Sequence, residues 1–375
     1  MSGMATTSPT ATASPASPSQ GPTEARTVQV LALGVPIDVA GLSSAEAAEF
    51  SAAWSRCLAA PGSQAAATVH RNPGDFARAN ESLTSAITLA AIDQLAGHRM
   101  MFHACGLADP VSGATIAFIA PSGTGKTTVA RTLGPGLGYV SDETIAVDAE
   151  LRIVPYPKPL SVKQPAAGVP KLQEGPEQHL LGATPAAPRL AAIAILSRSA
   201  GETEATLEDV PLGAAILELT PQLSALARLD RGLVQLCRMV EACGGLKRIR
   251  YSEARSISAL LPQLAVKAAG AVQGQDWLAL PTTPQAGSAA RGTGLRRATV
   301  QDAVEAGGTV FLLANSQVVE LGPLGGLIWE LSGDWISREA LLAEVVAVVG
   351  PHPSADSLLD AALAELSSRG LLETA

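Results

Sequence analysis

The sequence predicts an α/β protein with a mixed sheet, followed by a small α+β domain at the C-terminal end. Two observations support this prediction. Apolar runs of strand length alternate with helix-like runs, and the run GATIAFIA leads through a Gly-rich loop into a helix-like segment. The last part of the chain changes pattern, because short strand-like runs come first and three helix-like runs follow.

Composition divides the chain into four parts. Residues 1–25 are dominated by Ser, Thr, Ala and Pro, so we expect a disordered tail that buries little apolar surface. Residues 26–267 form the first domain. Residues 268–294, rich in Gly, Ala and Pro, form a linker in which Trp277 is a candidate for packing against one domain. Residues 295–375 form the second domain.

The elements of the first domain follow from hydrophobic periodicity. TVQVLALGVPIDV alternates like a strand, SSAEAAEFSAAWSRCLAA has a Ser cap and helical spacing, and a second helix stops at Gly97. RMMFHACGL and GATIAFIA are strands separated by an Asp-Pro turn, and LGYVSDETIAV and LRIVPYP are strands joined by DAE. A loop rich in Pro, Ala and Gly comes next. The strand LAAIAILSR, a helical stretch interrupted near Pro221, and a last strand and helix complete the domain.

The second domain begins with strand runs broken at Gly307-Gly308 and at Asn315-Ser316, which indicates a small meander. Three helices follow in LGGLIWELSG, SREALLAEVVAVVG and SADSLLDAALAELSSRG.

Charge and composition exclude some classes of protein. The net charge of −8 argues against a nucleic-acid partner, which would need a basic face. The sequence has neither a secretory signal nor an apolar run long enough to span a membrane, so we expect no membrane association. Four cysteines without metal-binding spacing suit free thiols in a reducing cytoplasm, and we predict a cytoplasmic protein.

The segment APSGTGKTTVARTLG has the features of a phosphate-binding P-loop (Walker A). Glycines allow backbone N–H groups to approach phosphate oxygens, the following helix adds its dipole, Lys126 reaches the β and γ phosphates, and the Thr127 hydroxyl binds Mg²⁺. Ala120 stands where the usual pattern has Gly. The predicted nucleotide-binding residues are Pro121, Ser122, Gly123, Thr124, Gly125, Lys126, Thr127 and Thr128.

An acidic pair, Asp142-Glu143, ends the strand that follows the loop and its helix. A carboxylate at this position can bind Mg²⁺ or take the proton of an acceptor hydroxyl. The alternative is a solvated turn at a strand end. Because the pair belongs to the same strand–helix–strand unit as the loop, we favour a functional role.

The residues from Arg99 to Lys163 resemble the core of the HPr kinase/phosphorylase-type P-loop kinases, especially those encoded beside ribosomal-peptide modification genes. That family has a His on the strand before the loop and an acidic strand end after it, as His103 and Asp142 stand here. The resemblance implies ATP and Mg²⁺ as cofactors and a homo-oligomer like the family's multimers. It also implies that the catalytic residues are Asp142, His103 and Lys126, and that the metal ligands are Thr127, Asp142 and Glu143.

Three further residues of this region receive simpler interpretations. Cys105 lies on an apolar strand, which is a poor environment for a reactive thiolate, so we expect it to be packed. Lys158 and Lys163 follow the acidic strand, and we expect both in a solvated loop, although either could reach a phosphate or an acidic partner.

The C-terminal segment TVFLLANSQVVELGPLGGLIWELSGD, with its helices, is similar to PqqD-like domains, which have a winged-helix-like fold and bind leader peptides. The resemblance implies strand addition of the peptide near Gln317–Leu321. A flexible linker would then raise the local concentration of the peptide at the kinase centre. The alternative is a generic winged helix that serves nucleic acid or dimerisation.

The combined prediction is an ATP-dependent kinase that phosphorylates a Ser or Thr hydroxyl of a ribosomally synthesised precursor peptide. Two alternatives stay open. One is a nucleotide-gated protein that binds and delivers the peptide without kinase turnover. The other is a kinase of a small metabolite or carrier protein.

Overall fold

The computed structural model describes residues 25–60, 62–121, 123–267, 276–285 and 294–375. The predicted disordered tail therefore lies outside the described residues except for Ala25, and Ser122 lies outside them too. The helices are α1 (Ser44–Ala53), α2 (Phe76–Leu95), α3 (Lys126–Leu133), α4 (Leu212–Leu219), α5 (Gly232–Ala242), α6 (Leu261–Lys267), α7 (Pro323–Leu331), α8 (Arg338–Val349) and α9 (Ala355–Ser368).

The strands fall into two groups along the chain. The first part contains β1 (Arg26–Ala32), β2 (Val35–Leu42), β3 (Ala67–His70), β4 (Met100–Ala108), β5 (Ala114–Ile119), β6 (Gly138–Ser141), β7 (Thr144–Val147), β8 (Ile153–Val154), β9 (Leu160–Val162), β10 (Leu172–Glu174), β11 (Arg189–Arg198), β12 (Thr206–Val210), β13 (Leu223–Ser224) and β14 (Leu246–Tyr251). The second part contains β15 (Trp277–Ala279), β16 (Leu295–Arg297), β17 (Asp302–Ala306), β18 (Thr309–Ala314), β19 (Gln317–Leu321) and β20 (Leu372–Thr374).

The main sheet has the order β12-β14-β11-β5-β4-β7-β8, and β6 and β13 also pair with β4. Strands β5, β11 and β14 run parallel, whereas β4 is antiparallel to β5, β6, β7 and β13. The predicted α/β class with a mixed sheet is therefore confirmed. This pairing brings the end of β5, where the P-loop begins, close to the end of β6, where the acidic pair follows.

The first strand-like run is a hairpin rather than one strand. Strands β1 and β2 pair antiparallel around Leu33 and Gly34, whose φ angles of 51° and 79° are both left-handed. The sequence pattern did not reveal the turn, because Leu33 itself is buried and keeps the apolar run unbroken. Helix α1, the Trp54 that follows it and the longer α2 pack on this small sheet, with Phe50 and Ile87 as the buried contacts of the two helices.

Helices cover both faces of the main sheet. On one face α3 and the segment from residue 254 to 264 pack through residues such as Val129, Ile257 and Leu264. On the other face α4 and α5 pack through residues such as Leu219 and Leu233. Within the part of the chain that the structure describes, no helix combines the length and apolar content that a membrane crossing requires.

The C-terminal sheet has the order β15-β17-β18-β19 and lies between two layers of helix. One face packs on α7, α8 and α9 through residues such as Leu312 and Trp329. The opposite face carries Trp277, Val304 and Phe311 into the same apolar cluster as α4 and α5. Strand β15 lies within the predicted linker and pairs with β17.

A buried polar contact strengthens this interface. The fully buried Asp302 carboxylate accepts a hydrogen bond of 3.0 Å from the Val234 N–H in the first turn of α5, and it pairs with Arg231 Nε at 2.7 Å. Most of the predicted linker, residues 268–275 and 286–293, lies outside the described residues. The C-terminal sheet is packed on the first part of the chain because its second face is apolar.

Candidate active site

The P-loop connects β5 to α3 as predicted. Gly123 and Gly125 have φ angles of 84° and 114°, which residues with a side chain rarely adopt, and Gly125 is the N-cap of α3. Ala120 has neither a positive φ nor an exposed side chain, because it packs in the apolar cluster beneath α3. Position 120 therefore does not require the conformational freedom of Gly.

Lys126, the first residue of α3, folds back over its own loop. Its Nζ donates hydrogen bonds to the Ala120 carbonyl at 2.5 Å and to the Pro121 carbonyl at 3.3 Å. Burial lowers the pKa of this ammonium group, although the nearby Glu143 carboxylate acts in the opposite direction. The ammonium group therefore lies against the loop that holds the predicted phosphates.

Asp142, at the end of β6, accepts hydrogen bonds from three side chains. Thr127 Oγ1 donates to its Oδ2 at 3.0 Å, whereas the Tyr139 hydroxyl at 3.1 Å and Lys158 Nζ at 3.0 Å bind its Oδ1. The side chain of Asp142 is only 2% exposed. The loop and the acidic strand end therefore meet through the Thr127–Asp142 contact.

Lys158 lies in the site rather than in a solvated loop, so that prediction is wrong. Its side chain is fully buried, and Nζ also donates to the Pro159 carbonyl at 2.9 Å. Burial alone would lower the pKa of Lys158, but the Asp142 and Glu143 carboxylates outweigh burial and raise it. The sequence suggested a loop because prolines alternate through this stretch, yet the Tyr156 N–H binds the Val140 carbonyl and draws the stretch against β6.

His103 and Glu143 form a second pair beside Asp142. His103 Nδ1 lies 3.0 Å from the Glu143 carbonyl oxygen and 3.5 Å from Glu143 Oε1, while Glu143 Oε2 lies 3.9 Å from Lys158 Nζ. Burial lowers the pKa of His103, and the ammonium of Lys126 lowers it further. The imidazole is therefore held mainly neutral, and the Glu143 carboxylate is directed at His103 and Lys158.

A cavity of about 600 Å³ opens onto these groups. The exposed Lys163 also lines this cavity. Its ammonium group lies close to the P-loop, because a Cβ atom added to Gly123 would be 3.5 Å from Lys163 Nζ. From the predicted site the cavity is lined by His103, Gly123, Gly125, Lys126, Thr127, Thr128, Asp142 and Glu143. Pro121 and Thr124 are not among the lining residues and instead bond to each other, Thr124 Oγ1 to the Pro121 carbonyl at 2.9 Å.

One wall of the cavity comes from a helix that sequence reasoning did not connect with the site. Helix α2 contributes Glu81, Thr84, Ser85 and Thr88. Their spacing of three and four residues forms a polar stripe on a helix whose other buried positions are largely apolar. That stripe was the available signal in the sequence, because it interrupts the apolar face by which a helix normally packs.

The donor groups of the site fit Mg²⁺. In the described ranges, no group of three or more His, Cys, Asp and Glu side chains is arranged to hold a metal ion. Mg²⁺ needs less from a protein, because one or two oxygen ligands suffice when phosphate oxygens and water complete the octahedron. The Thr127 hydroxyl and Asp142 Oδ2 meet that requirement.

Cys105 is fully buried and burial raises its pKa well above the ordinary value, as its packing interpretation predicts.

Comparisons with known proteins add little to this geometry. No family model matches the sequence, and no curated protein matches it. The chain is similar to a solved structure, the HPr(Ser) kinase/phosphatase from Coxiella burnetii, with 12% sequence identity and a TM-score of 0.24. The alignment covers 45% of this chain and 99% of that chain. A TM-score this low does not establish a shared fold, so the resemblance to HPr kinases stays a hypothesis that depends on the site itself.

Proposed function

We propose that this protein is an ATP- and Mg²⁺-dependent kinase that phosphorylates a Ser or Thr hydroxyl of a ribosomally synthesised precursor peptide. The main support is the 3.0 Å hydrogen bond from Thr127 Oγ1 to Asp142 Oδ2, which joins the P-loop helix to the acidic strand end. The adjoining cavity of about 600 Å³ has room for a nucleotide and an acceptor side chain. These are the parts that phosphoryl transfer requires, because that reaction depends on positioning and charge stabilisation.

Each residue of the site has a role in this proposal. The N–H groups around Gly123 and Gly125 bind phosphate oxygens, and the Lys126 ammonium leaves the loop carbonyls to neutralise the γ-phosphate. Bound Mg²⁺ would draw charge from the phosphates. The acceptor oxygen forms its bond to the γ-phosphorus as the bond to the bridging oxygen breaks, and ADP leaves with that electron pair. Asp142 Oδ2 orients the hydroxyl and takes its proton, with neutral His103 beside it.

The proposal of a peptide acceptor is supported by the C-terminal sheet. Strand β19 is at the end of that sheet and, among the described strands, pairs with β18 alone. An edge strand offers unpaired main-chain groups, so an extended leader peptide can bind there by strand addition. The docked C-terminal part would then hold the peptide in a fixed relation to the cavity rather than on a loose tether.

The kinase proposal is tested by intact-mass measurement of the precursor peptide after incubation with ATP and Mg²⁺. We expect the peptide to gain a phosphoryl group with the wild-type protein and none with Lys126→Ala or Asp142→Asn. Asp360→Asn is the control, because Asp360 is exposed and pairs with Arg338 in the C-terminal helices. Unchanged peptide mass despite nucleotide binding would favour the delivery protein, and ADP release with an unmodified peptide would favour a small-molecule or carrier acceptor.

Leader docking is tested by hydrogen exchange. Bound peptide should slow the exchange of amides in β19, whereas β16 and β20, which pair with each other in a separate sheet, should not respond. Phosphorylation without any change in β19 would refute docking at this edge while leaving the kinase proposal intact.

A further inference from the structure

The two oxygens of Asp142 have different surroundings. Oδ1 is bound by Lys158 Nζ at 3.0 Å and by the Tyr139 hydroxyl at 3.1 Å, both of them fully buried groups. Oδ2 is bound by Thr127, which lines the cavity. The carboxylate therefore has one oxygen fixed in the protein interior and one directed at the reacting groups.

We propose that Lys158 is the positioning residue of this centre, which fixes Asp142 so that Oδ2 alone faces the metal ion and the acceptor hydroxyl; this proposal rests on the proposed kinase function. The ammonium group is itself fixed, because it donates to the Pro159 carbonyl at 2.9 Å and lies 3.9 Å from Glu143 Oε2. A lysine has three N–H donors. Around the Lys158 ammonium lie three oxygens: Asp142 Oδ1, the Pro159 carbonyl oxygen and Glu143 Oε2.

The Tyr139 hydroxyl is the second group that holds Asp142 Oδ1. Its oxygen lies 3.1 Å from Asp142 Oδ1 and 3.1 Å from the carbonyl oxygen of Lys158. The single hydroxyl hydrogen is shared between these two acceptors, and together with the Lys158 ammonium it leaves Asp142 little freedom to rotate. Catalytic groups must be held close to their productive geometry, and supporting contacts of this kind provide that restraint.

Stability alone does not account for this lysine. Taking two charges out of water costs about as much as their attraction returns, so a buried ion pair is weak evidence for a stabilising role. Lys247 shows the contrast, because this nearly buried lysine on β14 pairs with Asp209, whose side chain is 67% exposed at the far edge of the sheet. Lys158 instead meets an acid that is 2% exposed and directed at a cavity.

The test uses the full-length protein with Lys158→Met, which keeps an unbranched side chain as far as Cε and removes the charged group and its donors. We expect the turnover number to fall roughly 100-fold, as for other losses of positioning, with little change in the KM for ATP. ADP affinity measured by calorimetry in EDTA should stay as in the wild type, while the gain in ADP affinity caused by Mg²⁺ should shrink. Lys247→Met is the control for loss of a buried lysine and should leave both quantities unchanged.

Each outcome decides the proposal. A folded Lys158→Met protein with wild-type turnover and a wild-type Mg²⁺ effect on ADP affinity overturns it. If Lys158→Met does not fold, Tyr139→Phe removes the other bond to Oδ1: a smaller loss in the same two quantities supports the proposal, and no change overturns it. If the wild type phosphorylates no acceptor, the kinase proposal fails, but the Mg²⁺ effect on ADP affinity still measures the positioning of Asp142.

Discussion

Asp302 joins the two parts of the chain, and its removal should measure how firmly they are joined. The residue lies on β17 but accepts the Val234 N–H at 3.0 Å, so it caps α5 from outside the helix. The N-cap residue Arg231 supplies no cap of its own, and its guanidinium pairs with Asp302 at 2.7 Å. Asp302→Ala removes both contacts at once.

The expected loss follows from these two contacts. A missing N-terminal cap costs about 1 kcal/mol. Loss of a hydrogen bond to a charged group costs about 1.5–3 kcal/mol, and we take the lower part of this range because the Arg231 side chain is 33% exposed and water replaces part of the pair. We therefore expect Asp302→Ala to lower the free energy of unfolding by roughly 2–3 kcal/mol.

Urea unfolding followed by tryptophan fluorescence provides the assay, since Trp277 is buried at this interface. Asp302→Asn should lose less than Asp302→Ala, because an amide oxygen still caps α5 while the charge opposite Arg231 is gone. Glu373→Ala removes a half-exposed ion pair with Arg296 and serves as the control. A loss below about 0.5 kcal/mol for Asp302→Ala, the range of ordinary surface changes, would refute a structural role for this contact.

Two further predictions concern the first part of the chain. A Cβ on Gly182 would stand 2.2 Å from the Leu137 carbonyl oxygen, so Gly182→Ala should cost about 1–3 kcal/mol in the same urea assay. Gly136→Ala meets nothing within 4 Å and should cost far less; equal costs would contradict the reasoning. For His103, burial and Lys126 lower the pKa below the ordinary 6.5, so its stabilising effect is complete above that pH and is lost as the pH falls through the lower folded-state value. An NMR titration midpoint at or above 6.5 would be inconsistent with this site.

The sequence predicted those features whose cause is local. The P-loop and the acidic pair are signalled by a few adjacent residues, and the helices of the C-terminal part by their periodicity. Strand β15 and Lys158 depend instead on distant partners. Trp277 becomes part of a strand only because β17 lies beside it. Lys158 is buried only because its stretch of chain lies against β6 and its ammonium group pairs with Asp142. Local composition indicated a linker and a loop at these two positions.

The candidate site also combines residues with a local sequence signal and residues that only tertiary packing brings in. Thr127 and Asp142 were predicted from adjacent motifs, and their contact follows from the order of the strands. Helix α2 ends at Leu95, two strands before the P-loop, and nothing in its own sequence says which cavity its polar stripe faces. Tertiary packing decides that, so the wall formed by Thr84 and Ser85 could not be assigned to the site without the structure.

The apolar cluster shared by α4, α5 and the C-terminal sheet has a consequence for protein engineering. Removal of residues 295–375 would expose the side chains that pack on Phe311 and Val304, and it would remove the cap of α5. A truncated protein would therefore aggregate, and its loss of activity would not measure the loss of peptide docking. The two parts should melt in a single cooperative transition. A chimera with a new specificity must therefore retain Asp302 and the inward face of β17 and β18, and can vary only the outer edge at β19.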